Sequence, residues 1–400
     1  MDRGFGGGIQ RILLLLAKKI RMCLFFGMVI PFILLIRLFK PFITIRFGSL
    51  SSISIGHLIG NSILFFEKPR KECVFVVNRK KDICNYAAYE IIKNKYTSKW
   101  KIHFTHNVIC FYFFHMLFIL SHEFRFLASF VANIEWIHHE AGIEKTYGSN
   151  FRCYDPLAYN NKGIFSVPDY FVARFKTWRL LEKINGRFVC FITRDHNFYG
   201  QDHTKFRNAE FKKLTTTINH LIENGYWVVR MGRDHLDDDF QFNSEKYIDY
   251  GSSERIDDVV DIMLIKECES FIGMNTGLIL VQQFFDRKIL LTNWFPIGMC
   301  PTYRNCRYIL KRYLRDGRIV PYCEIPKELI LCENADILEK HGFTVQENDE
   351  REITDFLLHH MNRELQDGIH TSNLDVVVTG GGGMLCKNWW ERNKSLFVQT

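Results

Sequence analysis

The stretch that decides the fold reads Glu267-Cys-Glu-Ser-Phe-Ile-Gly-Met-Asn-Thr-Gly-Leu-Ile-Leu-Val-Gln-Gln-Phe-Phe285. Its pattern predicts a short apolar strand, a Gly-x-Asn-Thr-Gly turn over residues 273–277 and an apolar helix of about three turns. Backbone N–H groups at the start of that helix, with the positive end of its dipole behind them, would form an anion site, and phosphate is the usual anion. Gly273 and Gly277 would let a phosphate approach the backbone closely. An ordinary strand-to-helix turn of an α/β core is the alternative.

The residues before this stretch alternate between predicted strands and helices. Two buried strands end at Arg194 and Arg230, a third short strand covers residues 247–250, and helices are expected over 208–223 and 257–267. This alternation is typical of a parallel sheet, in which ligands bind at the carboxyl ends of the strands. Two guanidinium groups and a helix N-terminus at one such edge suit a diphosphate.

Length and charge limit the class of protein. A chain of 400 residues suggests two or three domains, and an apolar fraction of 47% is ordinary for a globular protein. The formal net charge is +8, but residues 1–46 carry eight basic residues and one acidic residue, a net of +7. The remainder of the chain is therefore close to neutral and gives no indication of a nucleic-acid partner.

The amino-terminal region is also apolar. Residues 22–36 form an uncharged run of fifteen residues that contains Pro31, whereas a spanning helix needs about 20. We expect residues 9–40 to lie in the plane of an anionic membrane surface, held by apolar burial and basic side chains. A single span over 22–38 with snorkelling ends and a set of buried core helices are the alternatives. A signal peptide is disfavoured because no small-residue cleavage site follows.

The cysteine and histidine patterns indicate no metal site. The twelve cysteines are scattered without a Cys-x-x-Cys pair, and the fifteen histidines include no His-Glu-x-x-His. Zinc is therefore not indicated, and this cysteine usage fits a reducing compartment. An acidic run at residues 237–239 imitates a metal-binding Asp-x-Asp motif, but we interpret it as a solvated loop. We expect neither a metal nor a cofactor.

A second informative stretch covers residues 42–66. It predicts a strand over 43–47, a Ser/Gly loop, and then Ile55-Gly-His57 at the start of an apolar helix. This would be the first strand–loop–helix unit of another parallel-sheet domain. His57 is placed to act as a general base near neutral pH, and helix capping or packing is its alternative role.

Several of these motifs, taken in order, carry a resemblance. They are Arg-Leu-Phe-Lys-Pro-Phe-Ile-Thr-Ile-Arg-Phe-Gly (37–48), Ile-Gly-His-Leu (55–58), Thr-Arg-Asp (193–195), Gly-Tyr-Trp-Val-Val-Arg-Met-Gly (225–232), Ile-Asp-Tyr (248–250) and Phe-Ile-Gly-Met-Asn-Thr-Gly (271–277). Over residues 30–345, the sequence resembles a family of bacterial glycosyltransferases associated with surface-polysaccharide genes. The helix start at His57 is also similar to heptosyltransferases, in which an aspartate takes the place of His57. The strand that ends in Arg194-Asp195 is similar to fucosyltransferases that hold the donor diphosphate with a basic residue, which implies that role for Arg194.

These similarities imply a GT-B-like α/β fold, in which two Rossmann-like parallel-sheet domains face each other across a cleft. The resemblance implies four parts of the chain. The first two are an apolar, helical, membrane-associating segment (1–40) and an acceptor-side domain (41–180). A nucleotide-sugar-binding domain (181–345) follows, and then a carboxyl-terminal helix with a Gly-rich tail (346–400). The helix of this last segment is expected over 348–366 from its apolar spacing.

The resemblance also implies an activity. The chain would transfer a hexose or deoxyhexose from a nucleotide-diphosphate sugar to a glycan or lipid-linked acceptor in surface-polysaccharide synthesis, without a metal, at the cytoplasmic face of the inner membrane. His57 would be the catalytic base. The donor-binding residues would be Arg194, Asp195, Arg230, Gly273, Asn275, Thr276 and Gly277. One alternative is a non-catalytic, membrane-attached protein that binds a nucleotide or polysaccharide, and another is a different nucleotide-dependent enzyme on the same fold, such as an epimerase.

Overall fold

The computed structural model describes residues 45–50, 54–66, 73–97, 102–113, 115, 165–194, 202–232, 242–301, 305–361, 365, 368–370 and 383–397, with isolated positions between 17 and 42. Four sequence predictions fall mainly outside these residues. They concern the segment 1–40, the donor residue Asp195, the acidic run 237–239 and the glycines from Gly380 onward, of which Gly383 alone is described.

The described strands are, in chain order, β1 (Ile45–Gly48), β2 (Cys73–Val77), β3 (Ile102–Thr105), β4 (Phe188–Ile192), β5 (Trp227–Met231), β6 (Tyr247–Asp249), β7 (Phe271–Gly273), β8 (Ile289–Trp294), β9 (Cys306–Leu310), β10 (Arg312–Arg315), β11 (Arg318–Val320), β12 (Phe343–Gln346), β13 (Gly368–His370) and β14 (Met384–Cys386). The α-helices are α1 (Ile55–Phe66), α2 (Tyr86–Thr97), α3 (Asp169–Leu181), α4 (Thr215–Glu223), α5 (Asp258–Glu267), α6 (Ala335–Lys340), α7 (Glu350–Met361) and α8 (Lys387–Arg392). A 3-10 helix, Gly277–Phe284, separates β7 from β8.

The first three strands form a small parallel sheet in the order β1-β2-β3. Helices α1 and α2 follow the first two strands and pack against each other. Their apolar residues, such as Leu58 on α1 and Ile92 on α2, are fully buried. The strand–loop–helix unit predicted from residues 42–66 is therefore present, with its strand shifted to Ile45–Gly48.

The large sheet has the strand order β13-β14-β9-β8-β7-β4-β5-β6. Its strands pair in parallel from β14 to β6, and only β13 is antiparallel to its neighbour among the described residues. From β4 the chain moves outward through β5 and β6 on one side, and then through β7, β8 and β9 on the other. The winding direction thus reverses between β4 and β7, and ligands of such doubly wound sheets bind at the carboxyl ends of the strands at that point.

Burial explains why these apolar runs form a parallel sheet. Every residue of β4, β5, β7, β8 and β9 is buried, as expected of strands that are covered on both faces. Arg230, within β5, and Arg307, within β9, are the charged members of this buried set. The mixed α/β fold with a large parallel sheet, predicted from the sequence, is confirmed.

Three parts of the fold differ from the sequence predictions. The helix after β7 is a 3-10 helix, whose residues at positions i and i+3 eclipse, so that Gly277 and Leu280 both face α1. The predicted helix 208–223 begins only at Thr215, after a 3-10 turn over Phe211–Leu214. An antiparallel sheet, in the order β11-β10-β12, was not predicted at all.

The carboxyl-terminal region joins the large sheet. The helix predicted over 348–366 is shorter, Glu350–Met361. After it, β14 pairs in parallel with β9, and β13 pairs with β14. The segment 346–400, predicted as a separate helix and tail, therefore supplies two strands to the sheet.

The described positions of the amino-terminal segment are helical, and their large apolar side chains are exposed. Leu24, Leu34 and Leu38 expose 67%, 55% and 70% of their surface. Among the residues that the structure describes, no helix has both the length and the apolar character needed to cross a bilayer.

Candidate functional site

Arg194 lies at the point where the large sheet reverses its winding. It follows β4 by two residues and is 5% exposed. Its backbone N–H donates to Sδ of Met274, in the turn after β7, at 3.2 Å, and its guanidinium Nη2 donates to Oγ1 of Thr204 at 2.7 Å. The carboxyl end of β4 and the Gly-x-Asn-Thr-Gly turn are therefore in direct contact, as the sequence predicts.

The turn after β7 is held by its asparagine. Asn275 donates from Nδ2 to the carbonyl of Phe295 at 3.0 Å. Thr276 occupies the N-cap position of the 3-10 helix with an extended backbone, but its side chain makes no capping hydrogen bond. Its hydroxyl is buried and finds no hydrogen-bond partner among the described residues. A buried hydroxyl without a hydrogen-bond partner among the described residues therefore lies at this helix N-terminus.

The two glycines of the turn are required by their protein neighbours. A Cβ on Gly273 would lie 2.7 Å from Cγ2 of Ile192 on β4. A Cβ on Gly277 would lie 3.1 Å from the backbone nitrogen of Gly56, at the start of α1. The sequence had suggested that these glycines leave room for a phosphate, whereas the structure shows that they leave room for β4 and α1.

Arg207 is a second cation at this turn, and the sequence did not single it out. Its Nη2 donates to the carbonyl of Asn275 at 2.9 Å and to the Asn275 side chain at 3.3 Å. Its Nη1 donates to Oε2 of Glu333 at 3.0 Å. The contact joins residues 68 positions apart, so that no local pattern in the sequence indicates it.

Lys311 supports the segment that carries Arg207. It is 2% exposed, and its ammonium donates to the carbonyl of Asn208. Burial lowers the pKa of Lys311 to about 8; Glu347 opposes this shift by raising the pKa, and Lys213 adds to it by lowering the pKa. Lys311 is therefore tied to the residue that follows Arg207.

Arg230 occupies a different environment. Its side chain is fully buried, Nε donates to Oδ1 of Asp249 at 2.8 Å, and Nη2 donates to Oγ of Ser252 at 2.9 Å. These contacts lie on the β5–β6 side of the sheet. The structure therefore brings Arg194 together with residues 273–277 and places the guanidinium of Arg230 in an ion pair elsewhere.

His57 lies in the first turn of α1, close to the same turn of the large sheet. Its side chain is exposed, and Nδ1 lies 2.9 Å from the hydroxyl of Ser54, which also accepts from the His57 backbone N–H at 3.4 Å. The preceding residue contacts the large sheet directly, because a Cβ on Gly56 would lie 2.9 Å from Cα of Gly277. His57 is therefore one residue from the contact between α1 and the turn.

Two helix N-termini meet at this contact. Neither α1 nor the 3-10 helix has an acidic residue in its first turn. Both helix dipoles therefore present their positive ends without local compensation. A second contact lies nearby along the same edges, where the backbone N–H of Tyr86 at the start of α2 donates to Asp258 at the start of α5 (2.7 Å).

The site contains two guanidinium groups, Arg194 and Arg207, and one carboxylate, Glu333, which pairs with Arg207. Within the described ranges, no group of three or more His, Cys, Asp or Glu side chains is arranged to hold a metal ion. The arrangement of Arg194, Arg207, the Thr276 hydroxyl and two helix N-termini is suited to an anionic ligand.

No protein-family model matches the sequence, and a search of curated proteins finds no match. Solved structures do show similarity. E. coli ADP-heptose LPS heptosyltransferase II is 12% identical, with a TM-score of 0.41, and the match covers 69% of this chain and 92% of that one. A glycosyl transferase family 9 protein from Veillonella parvula is 8% identical, with a TM-score of 0.48 and coverages of 79% and 97%. E. coli heptosyltransferase WaaC with ADP is 11% identical, with a TM-score of 0.37 and coverages of 80% and 100%. Heptosyltransferases are thus among the solved structures to which this chain is similar, as the sequence resemblance predicted.

Proposed function

We propose that this chain is a glycosyltransferase that moves a sugar, a hexose or deoxyhexose, from a nucleotide-diphosphate sugar to a glycan or lipid-linked acceptor of a surface polysaccharide. The observation that carries the proposal is the set of contacts made by the turn after β7. Arg194 bonds Met274, Arg207 bonds Asn275, and Gly277 packs against Gly56 at the start of α1. The donor diphosphate would bind there.

The chemistry needs few groups. The acceptor hydroxyl must lose a proton while its oxygen attacks the anomeric carbon, and the bond from that carbon to the diphosphate breaks. Arginine side chains and helix N-termini stabilise the charge that develops on the leaving diphosphate, so the proposed reaction requires neither a metal nor a cofactor. A histidine of the small-sheet region would take the proton, and His57 is the candidate that the sequence supplies.

The test of the diphosphate site uses the hydroxyl of Thr276. Purified protein is screened by thermal shift against ADP, GDP, UDP, CDP and dTDP. At a hundred times its Kd, one of these should stabilise the protein by about 2.7 kcal/mol. Thr276→Val keeps the shape of the side chain and removes the hydroxyl. It should weaken the binding of that nucleotide by about 0.5–1.5 kcal/mol.

Thr177→Val is the matched control, because the Thr177 hydroxyl is exposed on α3 and bonds only within its own helix, to the carbonyl of Ala173. If no nucleoside diphosphate stabilises the protein, the proposed donor class is wrong. If Thr276→Val and Thr177→Val bind the nucleotide equally well, the diphosphate lies elsewhere.

The rival function is a membrane-attached protein that binds a nucleotide or polysaccharide without catalysis. The two functions differ in the fate of the donor, because glycosyltransferases hydrolyse their donor slowly when water replaces the acceptor. Release of the nucleoside diphosphate from a nucleotide sugar, followed by chromatography, therefore supports the enzyme. Binding without release supports the rival.

We further propose that residues 9–40 attach the protein to the cytoplasmic face of the inner membrane, peripherally or through a single anchor. The net charge of +7 over residues 1–46 and the exposed leucines of this segment support the proposal. Deletion of residues 1–38 should move the protein from sedimenting anionic vesicles to the supernatant. Equal partitioning of the full-length and shortened chains would contradict it.

A further inference from the structure

The segment after β3 begins a helical stretch whose outer face is apolar and exposed. Residues 108–113 are helical, and Asn107 caps their start, because its Oδ1 accepts from the backbone N–H of Ile109 at 2.9 Å. Val108, Ile109 and Tyr112 expose 55%, 80% and 52% of their surface. Residues three and four positions apart are neighbours on a helix, so these three side chains form one exposed apolar face.

Basic residues lie beside this face. The segment after β2 contributes Arg79, Lys80 and Lys81, and both lysines are exposed. The guanidinium carbon of Arg79 lies 4.7 Å from the centroid of the Phe111 ring, which brings this segment into contact with the helical residues 108–113. Asp82 pairs with Arg79, so the two lysines carry the net positive charge of the segment.

The apolar face and the two lysines together form what we call the carboxyl-edge patch: Val108, Ile109, Tyr112, Lys80 and Lys81. Its two segments leave the carboxyl ends of β2 and β3, which pair in parallel.

The ends of these two strands are also tied to each other, because Nδ1 of His106 lies 2.8 Å from the carbonyl oxygen of Asn78. Helix α1 begins at the same edge, after β1, and its Gly56 packs against Gly277 in the turn after β7. The carboxyl-edge patch and the contact between α1 and this turn therefore share one edge of the small sheet.

The composition of the patch favours a lipid surface over a protein as its partner. A stable protein interface involves about 20–30 residues on each side, and lysine is depleted from such interfaces. Three apolar side chains flanked by two lysines are too few for an interface of that kind. At a membrane, in contrast, tyrosine is enriched at the level of the headgroups, and lysine is attracted to anionic lipids.

We propose that the carboxyl-edge patch docks on an anionic lipid surface. The side chains of Val108, Ile109 and Tyr112 enter the headgroup region, and Lys80 and Lys81 contact lipid phosphates. This contact is separate from the proposed attachment by residues 9–40, and it fixes which edge of the protein faces the lipid. Of the two acceptor classes, this orientation favours the lipid-linked one, a step that rests on the proposed glycosyltransferase function.

The first test places a reporter on the patch of the full-length protein. Cys110 is exposed and follows Ile109 directly, so an environment-sensitive fluorophore on its thiol reports lipid contact. With vesicles of phosphatidylglycerol and phosphatidylethanolamine, the emission should move to shorter wavelength and be quenched by lipids that carry a nitroxide. Cys110→Ser, labelled in the same way, is the control for the remaining cysteines and should show neither change.

The second test measures partitioning of the full-length chain by sedimentation with the same vesicles. Ile109→Asp should lower the partition coefficient about tenfold or more, because an apolar side chain that enters the headgroup region is replaced by a charge. Ile319→Asp, at an exposed position on β11, is the matched control and should change it by no more than about twofold. Lys80→Gln and Lys81→Gln should each lower it about fivefold on anionic vesicles, and neither should matter on phosphatidylcholine.

The outcomes separate this docking from the proposed attachment. If the full-length protein sediments with anionic vesicles while the Cys110 fluorophore stays in water, the docking proposal is wrong and attachment by residues 9–40 stands. If the protein does not sediment at all, both proposals fail. Equal partition coefficients for Ile109→Asp and Ile319→Asp would also overturn the docking proposal. A fluorophore that becomes buried with rising protein concentration, in the absence of vesicles, would place a second copy of this chain on the patch and overturn the choice of lipid.

Discussion

Arg194 and Arg230 stand at comparable points of two neighbouring strands, yet the large sheet gives them different environments. Arg194 follows β4 by two residues, Arg230 is the penultimate residue of β5, and both side chains are buried. The guanidinium of Arg230 pairs with Asp249 on the β5–β6 side, whereas Arg194 lies beside Met274 where the winding reverses. In this sheet, the arginine at the reversal of strand order, Arg194, is therefore the one placed for a ligand. Arg230, away from the reversal, belongs to the core.

The largest expected effect follows from the core role of Arg230. Arg230→Ala would break the ion pair with Asp249 and leave a cavity in place of one of the largest fully buried side chains, and truncating a large buried side chain costs about 3–5 kcal/mol of unfolding free energy. Urea denaturation measures the loss. The matched control is Arg255→Ala, which breaks the more exposed pair with Glu182 and should cost less than about 1 kcal/mol. Equal losses of unfolding free energy in the two variants would contradict a core role for Arg230. If folded Arg230→Ala binds the nucleotide more weakly than the parent, Arg230 contributes to the donor site.

The next effect concerns binding at the reversal point. Arg194→Ala removes a charge-assisted contact worth about 1.5–3 kcal/mol. This corresponds to a ten- to hundredfold lower affinity for the nucleoside diphosphate. Calorimetry with the nucleotide found in the thermal-shift screen measures it. Because Arg194 also bonds Thr204, Thr204→Val is the control for loss of that internal contact alone. If both variants lose affinity equally, Arg194 acts by positioning the 202–207 segment and does not touch the diphosphate.

Lys311 adds a third buried cation to the comparison, one that can lose its charge. Its pKa falls to about 8 in the folded protein, below the ordinary lysine value of about 10.4. Between these two values the unfolded chain binds more protons, so stability should rise with pH, by about 2 kcal/mol from pH 8 to pH 10. The unfolding free energy of the parent, relative to that of Lys311→Met, should therefore rise by about 2 kcal/mol over that range. The exposed Lys327→Met should track the parent, and a parallel pH dependence of Lys311→Met would show that Lys311 is not buried as a cation.

The smallest effect tests the contact that brings α1 to the reversal point. Gly56→Ala would place its Cβ 2.9 Å from Cα of Gly277, and such overpacking against backbone typically costs about 1–3 kcal/mol. Gly60, one turn later on α1, would place a Cβ 3.4 Å from the Leu280 side chain, an ordinary contact. Gly60→Ala should therefore be neutral or stabilise the helix by about 0.5–1 kcal/mol. Thermal denaturation of both variants checks the difference, and similar values for the two would contradict the close approach.

The sequence indicates the parts of this site that are local. The strand before Arg194, the turn at Asn275–Gly277 and the helix start at His57 are each defined by a few adjacent residues, and the structure contains all three. Strand order is not local, so the sequence treats Arg194 and Arg230 alike, and only the pairing of β4 with both β5 and β7 separates them. Arg207 was missed for the same reason, since its partner lies far along the chain.

Two further differences have physical causes that a single sequence hides. The roles of Gly273 and Gly277 follow from what packs against them, and the sequence shows only that they have no side chain. The hydrogen bond between Nδ1 of His106 and the carbonyl of Asn78 likewise joins residues that follow two different strands, β3 and β2. Such features arise from packing between elements, whereas propensity and periodicity describe the elements one at a time.

The position of β14 has a consequence for how the chain acquires its structure. Strand β9 is fully buried, and among the residues that the structure describes its outer side is paired with residues 384–386 alone. Until those residues have emerged from the ribosome and docked, β9 presents an open strand edge, which is the kind of surface that pairs with other chains and aggregates. Completion of the large sheet is thereby coupled to late synthesis, and a nascent chain that stalls before residue 384 is expected to depend on chaperones for its solubility.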